Sequence, residues 1–365
     1  MPNLCDTFFQ SEISTITHTY NQHIYNIMFI KQAIPVATKA LLSDSYMNLL
    51  FLGEPGVGKT EMVRAIAKEC NRELMIKHPI VESPIDGKGL PVATVVDGKP
   101  MAAFIAYGDL KKMMEATEPL IVFVDDLGQA AQSVQAVYMQ LIQERSINGK
   151  KISDYVKFVA ATNDKTHNAG VSGLITPLLS RFACIINIEA DAESWVEWAF
   201  KANMHPALIS YITMKPDMIS NFDPKQKGLK NFACPRTIEN LNKWISLDVI
   251  DLDVWSGCVG DIFAKEFYTY FQMYKIIMRY LASIESDPVN ADMATNGEAY
   301  FMITVLINNS VKKGEDYFTN VSKHVDRYSK EYQVFFYTQC ARQSKAITET
   351  TAYINWSVAN PDVIV

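Results

Sequence analysis

The chain has 365 residues, of which 48% are hydrophobic and 20% charged, and 34 Lys+Arg against 40 Asp+Glu give a formal net charge of −6. This composition is typical of a soluble globular protein, and the length accommodates two or three domains. The acidic balance argues against a protein that coats nucleic acid, and no apolar run reaches the roughly 18–20 residues that cross a bilayer. Six scattered cysteines without a C-x-x-C pair indicate reduced thiols and a cytoplasmic protein.

Residues 1–45 are predicted to be a mostly helical segment packed on the next domain, because apolar residues recur at helical spacing from Ile24 to Leu42. In residues 46–189, short apolar strands alternate with helices, which predicts a parallel sheet covered on both faces. Five strands are expected, at Asn48–Leu52, Leu74–Lys77, Leu120–Val124, Val156–Ala161 and Cys184–Ile188. Glycines and prolines between Glu82 and Gly108 predict an inserted segment of turns, compatible with a hairpin.

From Asp191 onward, the sequence predicts helices. Residues 190–285 are expected to form a helical lid domain, and residues 286–365 a C-terminal helical extension. Four aromatic residues of the lid region fall at helical spacing and are predicted to be core residues: Trp195, Trp198, Phe200 and Trp244.

One short segment after the first predicted strand fits the pattern G-x-x-x-x-G-K-[ST] of phosphate-binding loops. Such a loop wraps a phosphate with backbone N–H groups, and the following helix N-terminus adds positive potential. Its lysine reaches the β- and γ-phosphates, and its Ser/Thr hydroxyl ligates Mg²⁺. The residues expected to bind the nucleotide are Gly53, Glu54, Pro55, Gly56, Val57, Gly58, Lys59, Thr60 and Glu61.

A second signal lies about 65 residues further on, where the apolar strand Leu120–Val124 ends in Asp125 and Asp126. Asp125 is expected to hold the Mg²⁺ shell together with Thr60. Asp126 is expected to act as the general base that polarises the attacking water. The alternative is a strand that ends in a solvated acidic turn.

Three further residues are candidates for catalysis. Asn163 follows the strand next expected in the sheet and could orient the lytic water, or simply cap a turn. Arg181 precedes the fifth strand and is a candidate arginine finger, with a surface ion pair as the alternative. Arg236 follows Pro235 at a helix start and could reach the γ-phosphate, or lie exposed.

Together these motifs resemble those of the AAA+ ATPases. Gly53–Thr60 resembles Walker A, Ile121–Asp126 resembles Walker B, and the positions of Asn163, Arg181 and Arg236 match sensor 1, the arginine finger and sensor 2. Finer features resemble the MoxR branch (MoxR/NorQ/CbbQ-like, in the dynein-related clade), namely GEPGVGKT, QLIQER, AATN and LLSRF. The resemblance covers about residues 25–285. It implies an α/β fold with a P-loop parallel five-stranded sheet as an AAA+ core, followed by an all-α lid and a C-terminal helical extension.

The resemblance also implies a function. Such proteins bind ATP and Mg²⁺ and form rings, usually hexamers, in which Arg181 would serve the nucleotide of a neighbouring subunit. MoxR-type ATPases act as chaperone-like motors that remodel or mature a protein partner, often one with a von Willebrand factor A-type domain. The inserted segment Pro84–Pro100 lies where these proteins carry pore-facing or partner-facing loops.

One departure from the family pattern concerns Asp126, because the second Walker B carboxylate is usually Glu. Aspartate is shorter by one methylene, about 1.5 Å of reach. A misplacement of about 1 Å can cost around 10²-fold in rate, so hydrolysis is expected to be slow unless the backbone compensates. This motivates one alternative, a nucleotide-gated scaffold with little turnover.

A second alternative is a nucleic-acid motor of the same superfamily, helicase-like or restriction-associated. Lys88, Lys99, Lys150 and Lys151 lie on predicted loops and could line a basic channel. The acidic net charge and the lack of a recognisable nucleic-acid module make it the less favoured hypothesis. A small-molecule kinase is weaker still, because it would not need Arg236 in a separate helical domain.

Overall fold

The computed structural model describes residues 27–363 except 97, 164–172, 226–229 and 296. Its centre is a six-stranded parallel sheet in the order β1-β10-β2-β9-β6-β3. The strands of this sheet are β1 (Ile27–Phe29), β2 (Leu49–Gly53), β3 (Glu73–Lys77), β6 (Leu120–Val124), β9 (Val156–Thr162) and β10 (Cys184–Glu189). Two small antiparallel hairpins lie outside it, formed by β4 (Leu90–Val96) with β5 (Lys99–Ile105) and by β7 (Ser146–Ile147) with β8 (Lys150–Lys151).

The sheet confirms the five predicted strands and contains a sixth beyond the predicted five-stranded sheet. The additional strand is β1, which pairs with the edge of β10 through Ile27 opposite Asn187 and Phe29 opposite Glu189. Three apolar residues directly before a helix show no alternation of apolar and polar side chains that would distinguish a strand from that helix. The sequence pattern therefore predicted them to be helical. The free edge of β10 supplies the missing hydrogen-bond partners. Residues 1–26 lie outside the described part of the chain.

Helices cover both faces of the sheet. The helices of this part of the chain are α1 (Ile30–Leu42), α2 (Lys59–Glu69), α3 (Pro84–Lys88), α4 (Gly108–Glu115), α5 (Gln132–Glu144) and α6 (Thr176–Leu179). Alternate residues of each strand point to opposite faces, so Phe123 packs with α1 and α2 while Val122 and Val124 pack with α4 and α5. All residues of β6 and β9 are buried, as expected for central parallel strands.

The chain after the sheet is helical throughout its described residues, apart from connecting segments. Its helices are α7 (Ala192–Lys201), α8 (Pro206–Met214), α9 (Pro235–Ser246), α10 (Leu252–Val259), α11 (Asp261–Ser286), α12 (Gly297–Lys313), α13 (Glu315–Val325), α14 (Lys330–Gln343), α15 (Lys345–Thr348) and α16 (Thr351–Ala359). None of the helices in the described ranges is long and apolar enough to span a membrane.

One buried hydrophobic cluster extends from Trp195 in α7 to Trp356 in α16. It therefore continues across residue 286, where the sequence pattern placed the boundary between lid and C-terminal extension. The three domain boundaries remain predictions. Trp195 and Phe200 are core residues of this cluster, whereas Trp198 and Trp244 are each 40% exposed. The prediction that all four aromatics are buried was therefore wrong for these two, because helical spacing does not show which neighbours cover a face.

Candidate functional site

The predicted phosphate-binding loop connects the carboxyl end of β2 to the N-terminus of α2. Gly58 is the N-cap of α2 and has φ +105°, a left-handed conformation that favours glycine. Because glycine has no side chain that could cap the helix, the first N–H groups of α2 are left for another acceptor. A phosphate is the ligand that such a loop and helix terminus accommodate.

The ammonium group of Lys59 lies at the centre of the loop. Its Nζ donates to the backbone oxygens of Gly53 and Glu54, at 2.9 and 3.0 Å, and to Oδ1 of Asn163 at 2.9 Å. Burial lowers the pKa of Lys59 to about 8, although the nearby Asp126 and Asp125 charges oppose this shift. A bound polyphosphate would add negative charge beside this ammonium and favour its protonated form.

Two hard oxygen ligands suited to Mg²⁺ lie together beside the loop. The hydroxyl of Thr60 donates to Oδ2 of Asp125 at 2.8 Å, although the two residues lie on different elements. Mg²⁺ is usually held by one or two protein oxygens together with substrate phosphates, so this pair fits the predicted ion. No larger cluster of His, Cys, Asp and Glu that could hold a metal occurs within the described ranges.

Asp126 lines the same cleft from a left-handed backbone conformation, with φ 55° and ψ 35°. Aspartate tolerates this region better than most residues, and the turn redirects the chain directly after β6. Burial raises the pKa of the Asp126 carboxyl above its ordinary value, the Asp125 charge raises it further, and Lys59 and Arg236 oppose the shift. Such a carboxyl is better matched to proton abstraction near neutral pH than an exposed one.

Asn163 reaches the site because β9 lies between β2 and β6 in the sheet. The carboxyl ends of neighbouring parallel strands meet at one edge, which brings the phosphate loop, Asp125 and Asn163 together. The Asn163 side chain is 7% exposed and is held by Lys59. Asp164, the polar residue that follows Asn163, lies outside the described residues.

The helical region touches the phosphate loop directly. The backbone N–H of Arg236 donates to the carbonyl oxygen of Gly56 at 3.2 Å, and the hydroxyl of Ser220 donates to Oε2 of Glu54 at 2.8 Å. Gly56 has φ +82°, and a Cβ there would lie 2.5 Å from Sγ of Cys234. The N-terminus of α9 is therefore packed against the loop, and Arg236 lines the cleft.

The cleft has a volume of about 580 Å³ and has both polar and apolar lining residues. The apolar ones include residues that the sequence motifs did not identify, such as Ile30, Ile34 and Trp198. Only the pairing of β1 and the docking of α7 bring them to the phosphate loop, so no local motif could have found them. Glu61 also lines the cleft, but it is exposed and pairs with Arg64, its Oε1 lying 3.2 Å from Nε.

Arg181 is the predicted catalytic residue that does not line this cleft. It lies before β10, where its Nε donates to Oε1 of Gln143 at 2.7 Å and its Nη1 to Oγ of Ser180 at 2.6 Å. It lines a separate cavity beside Tyr46 and Asn48, at the amino end of β2. The phosphate loop follows the carboxyl end of the same strand, so the two sites lie at opposite edges of the sheet.

Comparisons with known proteins agree with this geometry. Residues 49–190 match the family described as "ATPase family associated with various cellular activities (AAA)". A curated relative, the uncharacterized protein ycf45 of Cyanidium caldarium, is 29% identical over 119 residues, which are 31% of this chain and 36% of the relative. The chain thus spans about a third of the length of that relative.

Solved structures of Thermotoga maritima RuvB also align with the chain. The RuvB Holliday junction branch migration motor aligns at 16% identity with a TM-score of 0.37, covering 78% of this chain and 75% of that one. A RuvB point mutant aligns at 14% identity with a TM-score of 0.41, covering 80% and 87%. Similarity at this level carries no functional conclusion.

The fold and the phosphate site define a P-loop nucleotide-binding protein with an α/β core and helices beyond it. More specifically, residues 49–190 are similar to the AAA ATPase family domain.

Proposed function

We propose that this protein is an ATP hydrolase that forms a ring and couples ATP turnover to the remodelling or maturation of a protein partner, as in the MoxR branch. The observation that carries the proposal is the convergence of Lys59, Asp125 and Asn163 from three neighbouring strand ends at one cleft. The loop and Lys59 would bind the phosphates of ATP, and Thr60 and Asp125 would hold Mg²⁺. Mg²⁺ would supply charge neutralisation on the phosphates.

Within this proposal, each remaining residue of the site has a separate role. Asp126 accepts the proton of the attacking water, and Asn163 helps to orient that water. Arg236 connects the γ-phosphate to the lid through α9, whose first turn already contacts Gly56. Hydrolysis would remove the anion to which Arg236 is drawn, so the lid angle would change with the nucleotide state.

The position of Arg181 supports a ring with shared sites. An arginine finger contributes 10³–10⁵ in rate when it reaches the transferring phosphate. Arg181 lies at the sheet edge opposite its own phosphate loop. Its guanidinium group could therefore reach only a nucleotide that is bound to another copy of the chain. A closed ring, which is a hexamer by the family resemblance, satisfies this head-to-tail arrangement for every subunit.

The test is ATP turnover as a function of protein concentration, with mass from light scattering and with Arg181→Ala subunits mixed into the wild type. Turnover that rises with assembly and falls more steeply than the mutant fraction supports a shared site. Equal turnover by a proven monomer would contradict the ring, and ATP binding without turnover in any assembly would favour a nucleotide-gated scaffold.

The choice of a protein partner rests on the inserted hairpin β4–β5. Leu90, Val95 and Met101 are 50%, 68% and 53% exposed there, which suits an apolar polypeptide better than a phosphate backbone. To test it, Asp126→Asn protein loaded with ATP would be used to trap partners, with Lys59→Ala protein as the matched control. An ATP-dependent protein partner supports the proposal, and its sequence shows whether it carries a von Willebrand factor A-type domain.

Nucleic acid remains the second candidate because of one specific contact. Nδ2 of Asn148 in the β7–β8 turn donates to the backbone oxygen of Lys88 at 2.5 Å, which ties this turn to the start of the inserted hairpin. The side chains of Lys88, Lys99, Lys150 and Lys151 are exposed and have no carboxylate within 4 Å in the described part of the chain. DNA binding that weakens with salt and stimulates turnover would favour this candidate.

A further inference from the structure

A second cavity, of about 320 Å³, lies at the amino end of β2. Tyr46, Gln143, Arg145 and Arg181 are among the residues that line it. Strand β2 has five residues, so at about 3.3 Å per residue this cavity lies roughly 15 Å from the phosphate loop of the same chain. A ligand bound here is therefore distinct from the nucleotide of this chain.

The guanidinium group of Arg145 is held in one orientation. Its Nη2 donates to the backbone oxygen of Ser153 at 2.7 Å, and its Cζ lies 3.7 Å from the centroid of the Tyr46 ring. Arg145 ends α5 in a left-handed conformation with φ 49°, which is uncommon for a residue other than glycine. Its Nη1 is buried and has no hydrogen-bond partner in the described part of the chain. The structure thus holds the guanidinium group of Arg145 in place beside the cavity.

The guanidinium group of Arg181 is also held by neutral acceptors. Gln143 and Ser180 accept from it, and neither Arg145 nor Arg181 has a carboxylate within 4 Å among the described residues. The carboxylate of Asp154 accepts from the Tyr46 hydroxyl at 2.6 Å and attracts the Arg145 charge without contacting it directly. Two guanidinium groups with no carboxylate in direct contact among the described residues create a local positive potential that an oxyanion would relieve.

We propose that Arg145 and Arg181 form one two-arginine site for the terminal phosphate of a nucleotide that is bound to a second copy of this chain. This inference rests on the proposed function and adds a second residue to it, together with Tyr46 as the platform that positions Arg145. Planar guanidinium groups match phosphate oxygens in paired hydrogen bonds, and this match favours arginine over lysine. A carboxylate of the second copy offers the same chemistry, and the experiment below distinguishes the two sources.

The experiment compares the full-length wild type with Arg145→Gln, Arg145→Lys and Arg181→Ala. The matched control is Arg72→Gln, because Arg72 likewise donates to a backbone oxygen, that of Tyr155 at 3.2 Å, but does not line the cavity. Three quantities are measured: ADP affinity at a concentration where the chain is monomeric, assembly with ADP and with ATPγS by light scattering, and steady-state ATP turnover.

We expect Arg145→Gln to leave ADP affinity within about twofold and to lower turnover at least about tenfold, since a charge-assisted contact to phosphate is lost. It should also remove most of the preference of assembly for ATPγS over ADP, an effect that a purely structural role would not produce. Arg145→Lys should restore only part of both losses, and Arg72→Gln should resemble the wild type.

Three outcomes overturn the inference. If Arg145→Gln keeps wild-type turnover and nucleotide preference while Arg181→Ala loses both, the shared site stands but Arg145 is not part of it. If Arg145→Gln weakens assembly equally with ADP and ATPγS, the anion is a carboxylate of the neighbouring copy. Wild-type behaviour of both variants would contradict the proposed ring as well. If Arg145→Gln does not fold, Tyr46→Leu removes the platform, keeps both arginines, and is expected to lower turnover and nucleotide preference in the same direction.

Discussion

Nζ of Lys59 and Oδ1 of Asn163 lie 2.9 Å apart, which joins the phosphate loop to the end of the neighbouring strand β9. The two residues are 104 positions apart in the chain. A nucleotide phosphate that draws Lys59 toward itself would therefore also change the contact of Asn163. The hydrogen bond between Lys59 and Asn163 would therefore depend on whether the γ-phosphate is present, and this would affect the end of β9. Residues 164–172, which follow, lie outside the described residues.

Replacing Asn163 by alanine should lower turnover by roughly 10- to 100-fold and change ATP affinity only a fewfold, because one hydrogen bond to the lysine is lost while its two backbone acceptors remain. Steady-state kinetics and equilibrium nucleotide binding would separate the two effects. Asn163→Asp is the matched variant, since it keeps the size but adds a negative charge, and it should weaken ATP more than ADP. Unchanged turnover in Asn163→Ala would exclude Asn163 from the chemistry.

The affinity for ATP should fall as the pH rises above about 8. Burial lowers the pKa of free Lys59 to about 8, and bound phosphates raise it again, so binding above this pH requires uptake of a proton. Below it, the lysine is charged in both states and no uptake occurs. Calorimetry at pH 9 in two buffers of different ionisation enthalpy measures the uptake. Lys59→Arg stays charged throughout this range and should show neither the uptake nor the pH dependence.

Gly56→Ala should destabilise the protein through a clash with the lid. The new Cβ would lie 2.5 Å from Sγ of Cys234 at a backbone φ of +82°. Overpacking and the left-handed conformation each cost about 1–3 kcal/mol. Cys234→Ala removes the sulfur and leaves the Cβ atoms at 3.5 Å, so the double variant should recover the part due to overpacking. Urea unfolding of the wild type, the two single variants and the double variant gives the coupling energy between the two positions. Strictly additive losses in the free energy of unfolding would show that the two side chains do not clash.

Asp126→Asn should lower turnover by about 10²–10⁴ and leave ATP bound, because the amide cannot accept the proton of water. Burial raises the pKa of Asp126, so wild-type turnover should decline toward acidic pH earlier than an ordinary aspartate would allow. This acid limb should disappear in the Asn variant. Asp126→Glu tests whether the shorter side chain limits the rate, and a faster Glu variant would show that it does. Unchanged turnover in Asp126→Asn would assign the base to another group.

Truncation after residue 285 should unfold the lid, although the sequence pattern suggested that the remaining helices form a separate extension. Phe301, Leu306 and Phe336 are at most 2% exposed and share one cluster with Trp195 and Ile209 of the lid. Losing them would expose a large apolar area at a cost of about 25 cal/mol per Å². Circular dichroism and limited proteolysis would test this. A stable, cooperatively folding 1–285 protein would instead establish residues 286–365 as an independent unit.

The sequence by itself predicted those parts of the nucleotide site that consist of residues adjacent in the chain. The phosphate loop, the Asp125–Asp126 strand end and the five strands were predicted because each depends on residues that are adjacent in the chain, where glycine conformation and hydrophobic periodicity act directly. Because residues that follow parallel strands collect at one edge of the sheet, Asn163 was also expected beside the Asp125–Asp126 strand end. The additional strand β1 was missed because three residues carry too little pattern.

Only the tertiary structure decided which distant residues surround the nucleotide cleft and which do not. Trp198 was expected in the core and lines the cleft instead, because its exposure depends on how α7 docks beside α1. Cys234 touches Gly56, and Arg145 meets Arg181 at a second cavity, through packing between elements that no spacing rule relates. The physical reason is that side-chain burial and contact are set by long-range packing, whereas a motif records only the conformational preferences of a short segment.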